Sequence, residues 1–127
     1  MTQNRPININ LLKIKLPLSA FLSITHRISG ILIFFLVLPL SILAFSELTQ
    51  NQDSFDNFMN MYHTNFGIKF GCIVLILIFQ YHIFTGIRHM LMDFHILNES
   101  LSSSYRSAVT TLVLFAINAL LTLWVML

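Results

Sequence analysis

Charge is scarce in this sequence. Lys and Arg number 7 and Asp and Glu 5 among 127 residues, 9% in all, whereas soluble domains carry roughly 25%. That shortage excludes a water-facing surface over most of the chain. The formal net charge of +2 is too small and too dispersed to mark a nucleic-acid partner. A single cysteine, Cys72, rules out an intrachain disulfide. Lying inside an apolar run, it reads as a small buried residue with no redox duty. No Pro-rich or Gly/Ser linker and no internal repeat divides the chain, so residues 1–127 read as a single domain. Strict alternation of polar and apolar residues is missing too, which argues against strands and a β-barrel.

What the sequence does hold is apolar length. Hydrophobic residues make up 56% of it, and the windows 28–46, 70–87 and 107–127 contain no Asp, Glu, Lys or Arg. A helix needs about 20 apolar residues to cross the hydrocarbon. The fold class expected is therefore all-α, a transmembrane three-helix bundle with spans at approximately 19–45, 66–92 and 105–127. The first window is too long for the core of a cleaved signal peptide, and the stretch before it is more than a basic tag. Ser19 after Pro17 marks a helix start, and Pro39 a kink that membranes tolerate. "PININLLKIKLP" (6–17) is expected to lie along the inner surface. "SELTQNQDSFDNF" (46–58) and "NESLSSS" (98–104) read as the outer and inner loops.

Positive charge sets the expected orientation. Arg5, Lys13, Lys15 and Arg27 precede the first charge-free window, while Arg88 and Arg106 bracket the second loop. Glu47, Asp53 and Asp56 occupy the first loop, with Lys69 only at its far end. Lys and Arg favour the cytoplasmic side, so the N-terminus is expected inside and the C-terminus outside. Trp124 then stands near the outer interface.

Ionisable residues within a span are costly, by roughly 2.5–3.5 kcal/mol at the centre on insertion scales, so each needs a reason. His82 is the deepest, six residues before Arg88 and hence about 9 Å from it along the axis. At 100° per residue, His82, Gly86, His89 and Asp93 form one stripe, and Arg88 points away from it. A neutral imidazole at that depth can ligate a haem iron, with Gly86 clearing space for the macrocycle and His89 near the propionates. It can equally form an interhelical hydrogen bond and nothing more. On the first span Ser23, Arg27 and Gly30 share a face with His26 on its flank, at a height expected to match His89 and not His82. Arg27 and Ser23 can steady a quinone carbonyl as charge builds on it. The alternative is that Arg27 snorkels to lipid phosphates while Ser23 packs. Tyr81 is expected in an interhelical bond, Asn118 and the helix-three threonines in packing, His63 at the outer end of helix two, and His95 beyond its inner end.

Two motifs carry a family resemblance. "RPINI" with "PLSAFLSITHRISG", and "HIFTGIRHMLMD" (82–93) with its H-x-x-x-G-x-R-H-x-x-x-D spacing, resemble the signatures of the cytochrome b membrane-anchor subunit of succinate dehydrogenase. The resemblance implies an anchor of a four-subunit succinate:quinone oxidoreductase, working with a second anchor subunit, an iron–sulfur subunit and a flavoprotein. It implies that His82 is an axial ligand of the iron of haem b, the other ligand coming from the second anchor. His26 and His89 would stand near the propionates, and Ser23 and Arg27 would bind ubiquinone. Succinate chemistry would lie on another subunit. A fumarate reductase anchor and a purely structural membrane subunit are the alternatives. A bacterial inner membrane is the expected location, with the mitochondrial inner membrane as the alternative, because no Arg/Ser-rich presequence precedes the motif.

Overall fold

A computed structural model of the chain describes residues 16–97 and 100–127. Every regular element among them is helical: α1 (Leu18–Leu32), a π-helical turn (Ile33–Val37), α2 (Leu38–Gln50), α3 (Gln52–Thr64), α4 (Phe66–Asp93) and α5 (Leu101–Met126). Three stretches are long and apolar enough to cross a membrane: Leu18–Gln50, Phe66–Asp93 and Leu101–Met126. The fold is the expected all-α, three-span arrangement. Residues 1–15, with the Arg5, Lys13 and Lys15 charges and most of the segment expected along the inner surface, lie outside the described residues, as do Asn98 and Glu99 of the second loop.

The first span is longer than the charge-free window, and its middle is not a plain α-helix. Pro39 has no N–H to offer the carbonyl one turn before it, and its ring crowds that carbonyl. Just ahead of it the chain widens, and the Leu38 N–H reaches back to the Ile33 carbonyl, an i→i+5 bond. The expected kink is resolved as this π turn.

The loop expected at 46–58 is a helix. α2 runs on to Gln50, and α3 begins at Gln52, with only Asn51 between them. Its Asn, Ser and Asp residues cap a helix there instead of turning the chain. Asn51 is extended, and its side chain accepts from the Ser54 N–H at 2.8 Å, the N-cap interaction that such residues favour. α3 is amphipathic and packs against α2 and α4. Cys72 is half-buried and lines a groove with Phe58, Met59 and Tyr62 of α3. His63 is exposed on α3 and so does not belong to the second span. Likewise, α5 starts at Leu101, inside the expected inner loop, with Ser100 as its N-cap accepting from the Ser103 N–H.

What holds the spans together is mostly small and hydroxylated. Beside Leu22, Val37, Ile73 and Ala108, the buried residues are Ser29, Thr85, Arg88, Ser104 and Thr111. Ser104, Ala108 and Thr111 recur at helical spacing on α5, the small-residue pattern that lets membrane helices approach closely. Most large side chains face outward: Phe34, Phe35, Ile42 and Trp124 are all exposed, as befits surfaces meeting lipid or other subunits. α4 is central and contacts both α1 and α5. The N-terminal end of α1, the C-terminal end of α4 and the N-terminal end of α5 therefore share one side of the bundle.

Candidate functional site: a histidine stack between two spans

The seam between α1 and α4 brings together three of the five histidines. The rings of His26 and His82 stack face to face, with centroids 4.2 Å apart and planes 9° from parallel. His89, two turns along α4 from His82 toward the shared end, tilts against His26 at 5.1 Å. His26 thus stands between the two α4 histidines. The expectation that the α1 cluster matches the height of His89 and not His82 is corrected by this contact. The wheel had the angular positions right but could not supply the vertical offset between two helices.

Two glycines make the stack possible, each serving the opposite helix. A Cβ on Gly30 of α1 would meet His82 Cε1 at 3.2 Å, and one on Gly86 of α4 would meet His26 Nε2 at 3.1 Å. Contacts that short are tighter than most side chains make, so the facing imidazole would have to give by a few tenths of an ångström. The space beside Gly86, expected to clear a macrocycle, receives the His26 ring.

His82 is anchored from the other side by a residue that the sequence reading passed over. Ser29 is buried, and its Oγ lies 2.9 Å from His82 Nδ1 and 2.7 Å from the His26 carbonyl. Its signal was present: it follows His26 by three residues, on the side of α1 that carries buried Leu22. Near it, the Thr25 and Tyr81 hydroxyls share a hydrogen bond of 2.5 Å across the same seam, as expected for Tyr81.

The remaining site residues are less constrained. His89 Nε2 is buried and has no hydrogen-bond partner among the described residues. Such an atom costs about 1–3 kcal/mol when left unpaired. Ser23 is half-buried and Arg27 exposed, and neither hydrogen-bonds to another described residue. Asp93 closes α4 and is exposed. By contrast, Arg88 is only 2% exposed. It turns to α5, donating from Nε to Ser107 Oγ at 3.1 Å and from one terminal nitrogen to the Ser104 carbonyl and hydroxyl, both at 3.2 Å. Arg88 faces about 120° away from His82 around α4, so the histidine stack lies on the flank of α4 away from that clamp. Exposed Phe79, Ile83 and Met90 border this flank.

Comparison with known proteins agrees with this architecture. Residues 1–124 match the family model described as the succinate dehydrogenase/fumarate reductase transmembrane subunit. The succinate dehydrogenase cytochrome b556 subunit of Coxiella burnetii is 37% identical over 93 residues, covering 73% of this chain and 74% of that protein. The cytochrome b560 subunit of Porphyra purpurea is 33% identical over 115 residues, 87% and 88% of the two chains. That of Chondrus crispus is 32% identical over 123 residues, 93% and 91%. With three membrane-length helices and a match along nearly its whole length, the chain belongs to the succinate dehydrogenase/fumarate reductase transmembrane subunit family.

Proposed function

We propose that this chain is the cytochrome b anchor of a succinate:quinone oxidoreductase, holding haem b with a second anchor subunit and forming part of the site where ubiquinone is reduced. The observation that carries the reading is the α1–α4 flank. One intramembrane imidazole, His82, is fixed through Nδ1, while a second, His89, keeps a buried Nε2 with no partner among the described residues. A tetrapyrrole brings four nitrogens of its own, so one histidine nitrogen from this chain and one donor from a second subunit would be enough to hold its iron. The donor set fits that group. His82 would supply the axial nitrogen, and His26 and His89 would stand toward the propionates. When bound, the haem supplies a one-electron store within the membrane.

Ser23 and Arg27 would take the quinone. Arg27 offers a planar fork of donors, unbonded to any other described residue, for an oxygen that gains negative charge during reduction. Ser23 lies one helical turn away on the same face and adds a hydroxyl. Their place near the end of α1 suits an iron–sulfur subunit delivering electrons at the membrane surface, with a flavoprotein beyond it oxidising succinate. With the Lys and Arg excess of the N-terminal segment, that end is assigned to the inside and the C-terminus to the outside. The similarity to the Coxiella burnetii subunit supports a bacterial inner membrane, with the mitochondrial inner membrane as the alternative. The names of these three relatives, each a succinate dehydrogenase subunit, favour the succinate-oxidising direction over a fumarate reductase.

The test is haem content. The complex purified through a tag on this chain should carry a b-type spectrum, and His82→Ala should abolish it while the other subunits still co-purify. Unchanged haem in that variant would remove His82 from the ligand role and leave a purely structural subunit as the better reading.

A further inference from the structure

The geometry around Ser29 contains more than a packing contact, because a serine hydroxyl has only one proton to give. At 2.7 Å from the His26 carbonyl, an acceptor that can offer nothing back, the Ser29 hydroxyl must be the donor. Its contact with His82 Nδ1 at 2.9 Å must then run the other way, with Nδ1–H donating to the serine oxygen. A neutral imidazole with its proton on Nδ1 has its lone pair on Nε2. The chain of bonds therefore runs from His82 Nδ1–H to Ser29 Oγ–H and on to the carbonyl of His26.

We propose that Ser29 is a positioning residue for His82: it accepts the Nδ1 proton, fixes the ring's tautomer and rotation, and so leaves Nε2 as the nitrogen available to a metal. The inference rests on the haem reading for its purpose, but not for its geometry. Metal-bound histidines are ordinarily oriented by a hydrogen bond from their second nitrogen, which also makes the ligating nitrogen more basic. Here the orienting acceptor would be a buried hydroxyl on a neighbouring span. Its own proton is held by the backbone carbonyl of His26, the residue whose ring covers His82. Gly30 follows Ser29 directly and gives the imidazole room to approach, since any Cβ there would meet His82 Cε1 at 3.2 Å. Serine, histidine and glycine thus act as a single fixture across the seam.

Two measurements test this independently. In the full chain without haem, reconstituted in lipid nanodiscs with ¹⁵N-labelled histidine, the nitrogen shifts of His82 should report a proton on Nδ1. The tautomer ordinarily favoured by an unconstrained imidazole has it on Nε2. Ser29→Ala should shift His82 toward that ordinary form, and Ser29→Thr, which keeps the hydroxyl, should restore Nδ1–H. In the purified complex, Ser29→Ala should raise the haem midpoint potential, since a ligand without its acceptor stabilises ferric iron less, and Ser29→Thr should return it toward the parent value. A proton on His82 Nε2 in the parent chain, or a tautomer and potential both unmoved by Ser29→Ala, would overturn the proposal even with haem in place. A complex that never carries haem, with the tautomer responding as described, would instead sink the haem reading and leave the Ser29 bond standing.

Discussion

On the α5 side of α4, a guanidinium is buried and spends its donors on two serines and a carbonyl. On the α1 side, imidazoles are brought together, and among the described residues one buried nitrogen has no partner and the nearby Arg27 and Ser23 make no side-chain hydrogen bond. Both seams place polar groups where water is scarce, yet they answer the cost differently. The Arg88 clamp ties helix to helix through Nε and one terminal nitrogen; further along the same seam Gln80 donates to Thr122, while its Oε1 is buried with no partner among the described residues. On the histidine seam the unpaired atom, His89 Nε2, stands beside two further imidazole-bearing positions, and such a cluster points to something that completes it. In a membrane protein, burial of polarity alone does not separate scaffold from site. What else gathers around the unpaired atom does.

The largest effect that can break this contrast is expected at Arg27. If its fork serves the quinone, Arg27→Ala should lower succinate-dependent quinone reduction by roughly a hundredfold, the scale on which one charge-stabilising donor acts. Reduction of an artificial dye by succinate should be nearly unchanged, and equal loss of both activities would turn Arg27 into an assembly residue. Gly30 comes next. Gly30→Val puts a branched side chain against His82 and should cut haem content several-fold. The same change at Gly71, whose Cβ would meet nothing within 4 Å, should leave the haem intact. A smaller effect is expected across the other seam. Arg88→Lys keeps the charge but cannot reproduce a fork that reaches two serines. It should cost about 1.5–3 kcal/mol in unfolding from detergent or bicelles, the range for hydrogen bonds to charged groups, while the shape of the haem spectrum stays the same. Smallest is Tyr81→Phe, which removes only the bond to Thr25. About 0.6 kcal/mol is the average for such interhelical bonds in membranes, and a change in haem content would show that the contact reaches further than packing.

The three spans were legible in the sequence because the cost of charge in hydrocarbon leaves a mark that needs no tertiary knowledge. The second helix, expected over 66–92, is observed as Phe66–Asp93. The angular grouping of His82, Gly86 and His89 was legible for the same reason, being a property of one helix. The failures fell where two structures share one residue vocabulary or where two helices must meet. Asn51 and Ser54 suit a turn and a helix cap equally well, and only packing against α2 and α4 decided for α3. Ser29 went unremarked because a serine in a helix most often bonds its own backbone, and this one does so while also reaching His82. Which residue of α1 would stand opposite which residue of α4 is a matter of relative sliding, and periodicity is silent on it.

Reciprocal glycines at positions 30 and 86 bear on how the molecule is made. Each helix supplies the hollow for the other's imidazole, so neither span alone offers a finished cradle. The second crossing has to enter the bilayer and slide into register before the rings can nest. If a prosthetic group is held between these spans, as proposed, its capture would follow insertion as a consequence of shape, and a half-inserted chain would lack the finished cradle with which to seize it early.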